Sequence, residues 1–273
     1  MVTNKWMMTQ MIETIELKEF LSGLRGAMKH DYTAVNRRKN PIALQLPALG
    51  MDELMYVAGQ YAIFPKNIVS FLSAASETAK QHGYTAIHEE LERNIGEERG
   101  SKTAGIPHYD LLVRETAAEF GHAFGYAPAA DLEADLRALE TGPAMDRFVK
   151  KMKEITTNED LEYAIGATYA LEASASPELV IVWDVLNALH LKAYGSALPV
   201  ESGLAEFVKM HLLDFEVGHE VHLREALSGY VQAVEQQDRF RNGFHDTILA
   251  MEPLWFGLRD ECQTREVRLR YGI

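Results

Sequence analysis

Cysteine is nearly absent from these 273 residues, with Cys262 standing alone. That excludes intrachain disulfides, a Cys-based zinc site and an iron–sulfur cluster, so any metal must be held by His, Asp and Glu. Basic residues are short as well. Lys and Arg number 27 against 40 acids, a net charge of −13, and the longest basic run is Arg37, Arg38, Lys39. Phosphate contacts need clustered cations, so no nucleic-acid partner is expected. No stretch approaches the ~18 apolar residues of a membrane span, and the N-terminus has no apolar segment of signal-peptide length behind a basic flank. A cytoplasmic location without membrane association is the expectation. Internal repeats, low-complexity segments and strand-like alternation are missing too. What remains is a succession of helical patterns with 47% hydrophobic residues, enough for one sizeable core. The expected class is all-α, a single domain over 1–273 with about eight to ten helices.

What the sequence does have is a histidine-rich helix at 204–226, LAEFVKMHLLDFEVGHEVHLREA. At about 100° per residue, Leu204, Phe207, Val208, His211, Phe215, His219, His222 and Ala226 share one side. Glu216 lies at the edge of that stripe and Asp214 well off it. A buried polar group without a partner costs roughly 1–3 kcal/mol. A single core histidine is more often bonded to a carbonyl or hydroxyl, but three together with Glu216 favour a metal. One helix cannot complete such a site, so other helices must bring carboxylates. Hard oxygen and imidazole donors suit iron or manganese.

In chain order, residues 15–29 read as an amphipathic helix, and Asn40-Pro41 ends the polar turn after it. A long helical pattern runs from Asp52 to about Gln81, where Pro65 predicts a kink or break. The next helix spans 85–98 and stops at Arg99-Gly100. Pro107 then precedes a helix opened by His108, so Glu98 and His108 can face a common point. Taken alone, Glu97 and Glu98 read as ordinary surface acids. Residues 131–153 give two charged helices split at Gly142-Pro143. Asn158 to Asp160 can cap a helix whose buried stripe is Leu161, Ile165 and Tyr169. Glu172 continues that face, and a carboxylate at the deep end of an Ala-rich stripe needs a cation or strong donor. Pro177 opens another helix, in which His190 reads as a packed or surface histidine. Beyond the histidine helix come a helix to about Asn242 and a C-terminal segment that is helical apart from Pro253.

Taken in order, Asn94-Ile95-Gly96-Glu97-Glu98-Arg99-Gly100, His108, Ala170-Leu171-Glu172 through Pro177-Glu178-Leu179, and Glu216-Val217-Gly218-His219 resemble the haem-oxygenase-like diiron oxidases. The stretch QYAIFPKN around Pro65 looks like that family's kinked first core helix. The resemblance covers about 50–230, with 1–49 and 231–273 as flanking helices. It implies a haem-oxygenase-like helical bundle holding two Fe(II) ions, with O2 as co-substrate. Carried over by position, Glu98 would bridge the irons, His108 would bind one, and Glu172 would come from the next core helix. His211, Glu216 and His219 would complete the set.

The family usually shows His-x3-Asp-x2-His on that last helix. Here Leu212 stands where the first histidine belongs, and His211 comes one residue early. A π-bulge would return His211 to register; otherwise His222 takes the place. Glu97 in place of Glu98, and manganese in place of iron, stay open. Some members use a glutamate from the first core helix, and residues 56–72 contain none.

The resemblance further implies an oxidation of a small molecule, a free amino acid or amino acid-like compound, by N-oxygenation, oxidative C–C cleavage, decarboxylation or nitrile formation. Decarboxylation or desaturation of a fatty acid is the alternative within enzymes, and a metal-free helical interaction protein the alternative outside them. Tyr56, Tyr61, Tyr109 and Tyr169 at core-helix positions favour the amino acid. Arg93, Arg99 and Arg114 are candidates to fork onto a carboxylate, although each reads more simply as a surface residue. The expected partner is a small-molecule substrate, with a homodimer left open.

Overall fold

The structure, a computed structural model, describes residues 3–264, with side chains described from Leu17 onward except those of Glu216 and Val217. Its helices in chain order are α1 (Thr3–Asp31), α2 (Met51–Gln81), α3 (Thr85–Glu98), α4 (His108–Phe120), α5 (Ala129–Ala138), α6 (Pro143–Thr156), α7 (Leu161–Tyr194), α8 (Gly203–Met210), α9 (Glu216–Ala226) and α10 (Val234–Gln263). A π-helical turn, His211–Phe215, joins α8 to α9. Among the described residues there is no strand, and no helix is long and apolar enough to cross a membrane. The class is all-α in a single domain, as the absence of strand-period alternation indicates.

The bundle is organised around α7. Its stretch from Ala164 to Ser174 is buried on every side, which requires neighbours all round. α10 and α2 pack along it, α9 and the π turn close its N-terminal half, and α6 bridges α10 and α2. Asp160 starts α7 by accepting the Tyr163 amide at 3.1 Å, a cap worth about 1 kcal/mol. The α7–α10 crossing is close because glycine sits on both faces of it. A Cβ on Gly166 would lie 2.0 Å from the Phe240 carbonyl oxygen, and one on Gly243 would lie 1.9 Å from that of Tyr163.

Helices run on through three interior prolines, which corrects the breaks expected at Pro177 and Pro253. Pro65, Pro177 and Pro253 all lie inside continuous helices, α2, α7 and α10. No helix begins at Pro177, and the two C-terminal segments are one. An interior proline costs about 3 kcal/mol, but each of these helices has buried residues on both sides of its proline. Past Pro177, Ile181, Val182, Val185, Leu186 and Leu189 all stay in the core, and their burial outweighs one missing hydrogen bond. In α2 the Asn67 side chain donates to the Ile63 carbonyl at 2.8 Å, just beyond Pro65.

Candidate metal centre

Two helix ends are brought together by the turn between α3 and α4. Gly100 takes φ +99, and a Cβ there would lie 2.6 Å from the Ile106 backbone. Only glycine permits that approach and that dihedral together. The Gly100 and Ser101 amides return to the Glu97 and Gly96 carbonyls at 2.8 and 3.0 Å. The chain reverses within nine residues, and Glu98 Oε2 comes to 3.2 Å from His108 Nδ1.

The π turn sets the histidine register. One extra residue turns everything beyond it by about 100° relative to a straight helix. That brings His219 beneath His211 and swings His222 outward. His211 and His219 are accordingly buried, whereas the His222 side chain is 49% exposed, with Glu90 4.0 Å away. The expectation that all three histidines share the core face is corrected for His222.

His211 Nδ1 lies 2.7 Å from the Phe207 carbonyl oxygen. A carbonyl only accepts, so Nδ1 carries the hydrogen and Nε2 keeps a lone pair. That Nε2 faces His108 Nδ1 at 3.1 Å. Burial, aided by the neighbouring His108, pushes the His211 pKa down to about 4, so the ring is neutral near pH 7.

A second group forms around His219. Its Nε2 is 3.0 Å from Glu97 Oε2 and its Nδ1 is 3.3 Å from Glu172 Oε2. Asn94 steadies Glu172 by donating to Oε1 at 3.3 Å. On the other side of Glu97, Oε1 meets Lys102 Nζ at 2.8 Å and also Arg93. Burial alone would raise the Glu97 pKa, but hydrogen bonds from His219 and Lys102 and the charge of Arg93 bring it down to about 2. Both acids of the pair therefore lie within the candidate site, Glu98 beside His108 and Glu97 beside His219. The side chain of Glu216 lies outside the described residues.

Glu98, His108, Glu172 and His211 line one cavity with about 560 Å³ of empty space, its open mouth included. His108 Nε2 is buried beside it without a hydrogen-bond partner. Among the described residues no three of these donors already surround a single coordination point; they bond to one another instead. The donor set nevertheless fits a metal. Two nitrogens bound at right angles to one ion at ~2.1 Å lie roughly 3 Å apart, and His108 and His211 are at that spacing. An imidazole set between two carboxylates can donate to both only if protonated, and a cation on one side serves His219 as well as a second proton.

The other sequence candidates separate cleanly. Of the four tyrosines only Tyr61 lines the cavity. Tyr56 bonds Glu261 and Tyr169 bonds Glu220, while Tyr109 lies under Lys66 and Arg137. Arg93 is committed to Glu90 and Glu97, Arg114 pairs with Glu115, and Arg99 is exposed. His190 is packed, with Nδ1 2.7 Å from the Ser196 carbonyl and Nε2 3.2 Å from Glu119. Sequence reasoning passed over Asn94 and Glu178, although both lie in the motifs it singled out. Glu178 is fully buried, neither carboxyl oxygen has a well-formed hydrogen bond, and burial, offset only in part by the nearby Ser174 hydroxyl, pushes its pKa up to about 8. Ser174, one turn back, also turns its hydroxyl to the Leu171 carbonyl.

Comparison with known proteins agrees with this architecture. Crystal structures of a CADD-like protein of unknown function from Nostoc punctiforme superpose with TM-scores of 0.78 and 0.77, at 30% and 29% identity, over 91% and 93% of this chain and 99% of that one. A TenA homolog from Pseudomonas syringae pv. tomato shares the fold, with a TM-score of 0.54 at 16% identity over 90% of this chain and 91% of that one. Among characterised proteins, the 4-chloro-allylglycine synthase of Streptantibioticus cattleyicolor is 23% identical over 249 residues, 90% of this chain and 84% of its own. Residues 18–261 match the family described as "Domain of Unknown Function with solved-structure structure (DUF3865)", and the chain belongs to that family.

Proposed function

We propose that the protein is a non-haem diiron enzyme of haem-oxygenase-like type that uses O2 to oxidise a small amino acid-like metabolite. The observation that carries this reading is the meeting of His108 and His211 in one cavity with Glu98 and Glu172. An apolar core has no other use for that group: acids and imidazoles buried together desolvate at a cost that a cation offsets. The amino acid part of the reading is supported by the synthase relative, whose name places an amino acid as its product.

Glu98, His108, Glu172 and His211 would hold the metal together with His219, Glu97 and Glu216. When bound, two ferrous ions supply electrons and Lewis acidity to O2. The chain's own groups do the rest. The Phe207 carbonyl keeps the proton on His211 Nδ1, which presents Nε2 as a donor. Asn94 orients Glu172, and Lys102 with Arg93 keeps Glu97 ionised. The apolar wall beyond the donors excludes water from the reacting end of the substrate.

The test is anaerobic loading with Fe(II), reading metal content and melting temperature, then O2 uptake with a panel of free amino acids. Two irons per chain, a raised melting temperature and uptake stimulated by an amino acid are expected. Glu172→Ala and His219→Ala should each lose iron and activity while keeping their helical circular dichroism. Failure of the wild-type protein to bind iron or gain stability would return the histidines to a structural role.

A further inference from the structure

The cavity lining is apolar apart from the four donors and the Tyr61 hydroxyl. Beyond the four donors its wall is made by Phe64 and Ile68 of α2, Leu112 of α4, Ala175 and Leu179 of α7, and Phe207 of α8. Tyr61, stacked on Trp255 at 6.0 Å, contributes an aromatic ring. Among the described lining residues outside the donors, none is charged and none carries an amide. The cations nearest in sequence are exposed or engaged elsewhere, Arg99 among the exposed. Lys66 is exposed and lies over the Tyr109 ring, Arg93 and Lys102 hold Glu97, and Arg137 pairs with Asp110 and Glu133. The buried acid of α7, Glu178, is not part of the wall.

A charged group lying against this wall would lose its hydration and gain no partner, a cost that grows steeply for ionised groups. An apolar group in the same place gains from burial. Ligand sites typically combine such an apolar body with a few convergent polar groups that fix orientation, and here the polar lining groups are the four donors and the Tyr61 hydroxyl.

We infer that the end of the substrate distant from Glu98, His108, Glu172 and His211 is uncharged and apolar. Among amino acid-like compounds the protein therefore takes aliphatic or aromatic side chains and rejects cationic and acidic ones. The inference rests on the proposed enzymatic reading only for which end of the substrate reacts; the wall itself is independent of metal.

The experiment is calorimetric titration of the protein, metal-free and anaerobically Fe(II)-loaded, with 2-aminoheptanoate and with lysine, its near-isostere ending in an ammonium. Heptanoate serves as the analogue without an amino group. 2-Aminoheptanoate should bind at least about tenfold more tightly than lysine. Ile68 is only half-buried, so Ile68→Glu should fold, and it should narrow or reverse that ratio. Lysine binding as tightly as 2-aminoheptanoate would overturn the inference. If Glu178→Gln then abolished the lysine binding, the buried acid would be its counter-ion. No binding by any of the three compounds, or an unchanged ratio in Ile68→Glu, also counts against it. Binding of heptanoate alone would keep the apolar wall and remove the amino acid from the proposed function. Failure to take up iron, with the same preference in metal-free protein, would fall on the metal reading only.

Discussion

His108 and His211 come from helices far apart in the chain and meet with 3.1 Å between Nδ1 and Nε2. Two imidazole nitrogens in a buried cavity have little to offer each other beyond one hydrogen bond. The Phe207 carbonyl fixes the proton on the far nitrogen of His211, so the near one faces inward as a lone pair. This arrangement depends on the π turn. Without it His222 would share the core face with His211.

That register is open to direct test. His211→Ala is expected to lose most of its bound iron by elemental analysis after Fe(II) loading, whereas His222→Ala, a change at a half-exposed side chain, should retain it. The opposite pattern would mean that the working histidine is His222 and that the π turn is not kept in the loaded protein.

Tyr169 anchors the helix that carries His219. Its hydroxyl donates to Glu220 Oε1 at 2.6 Å, and Arg25 and Arg224 approach the same oxygen at 3.2 and 3.4 Å. A buried hydrogen bond to a charged acceptor contributes roughly 1.5–3 kcal/mol. Tyr169→Phe should therefore lower unfolding stability by about 2 kcal/mol in urea titrations. A loss below about 0.5 kcal/mol would show that the two arginines alone hold Glu220.

Glu178 makes stability depend on pH. Burial raises its pKa to about 8 in the fold from 4.5, so the folded protein holds the proton more tightly than the unfolded chain. The stability linked to that proton is complete below pH 4.5 and is lost as pH rises through about 8. Glu178→Gln should remove this dependence, leaving the variant more stable than wild type at pH 9 by an amount on the order of a few kcal/mol. Parallel melting-temperature profiles for the two proteins between pH 5 and pH 9 would contradict it.

The α7–α10 crossing leaves no room for a methyl group. Gly243→Ala would push a Cβ into the Tyr163 carbonyl at 1.9 Å, and separating the two helices should cost about 3 kcal/mol or more. Gly23→Ala, in α1 with open space around its Cβ, is the control and should gain roughly 0.5–1 kcal/mol. Equal effects in thermal unfolding would deny that the crossing is set by glycine.

Much of this protein was legible in the residues themselves. The bounds of α3, the start of α4 at His108 and the cap on α7 follow from local signals: hydrophobic period, Gly100, Pro107 and Asp160. The candidate site was also legible, because polar residues on apolar stripes, such as His211, His219 and Glu172, stand out by where they fall in the period. Local signals failed at Pro177 and Pro253. A proline lowers the helical preference of its own turn, but whether the helix survives depends on how much the flanking turns bury, and that is set by neighbours remote in sequence.

The sequence by itself determined the all-α class, the lack of a second cysteine to pair or cluster with Cys262 and the pool of His and Glu from which a site can be drawn, because periodicity and composition are properties of a single chain segment. Tertiary structure alone decided which members of the pool meet. It brought in Glu97 and Asn94, turned His222 outward, buried Glu178 without a cation, and lined the cavity around the donors with apolar side chains. Each of these is settled by the rotation of one helix against another, which comes from the packing of side chains drawn from the whole chain.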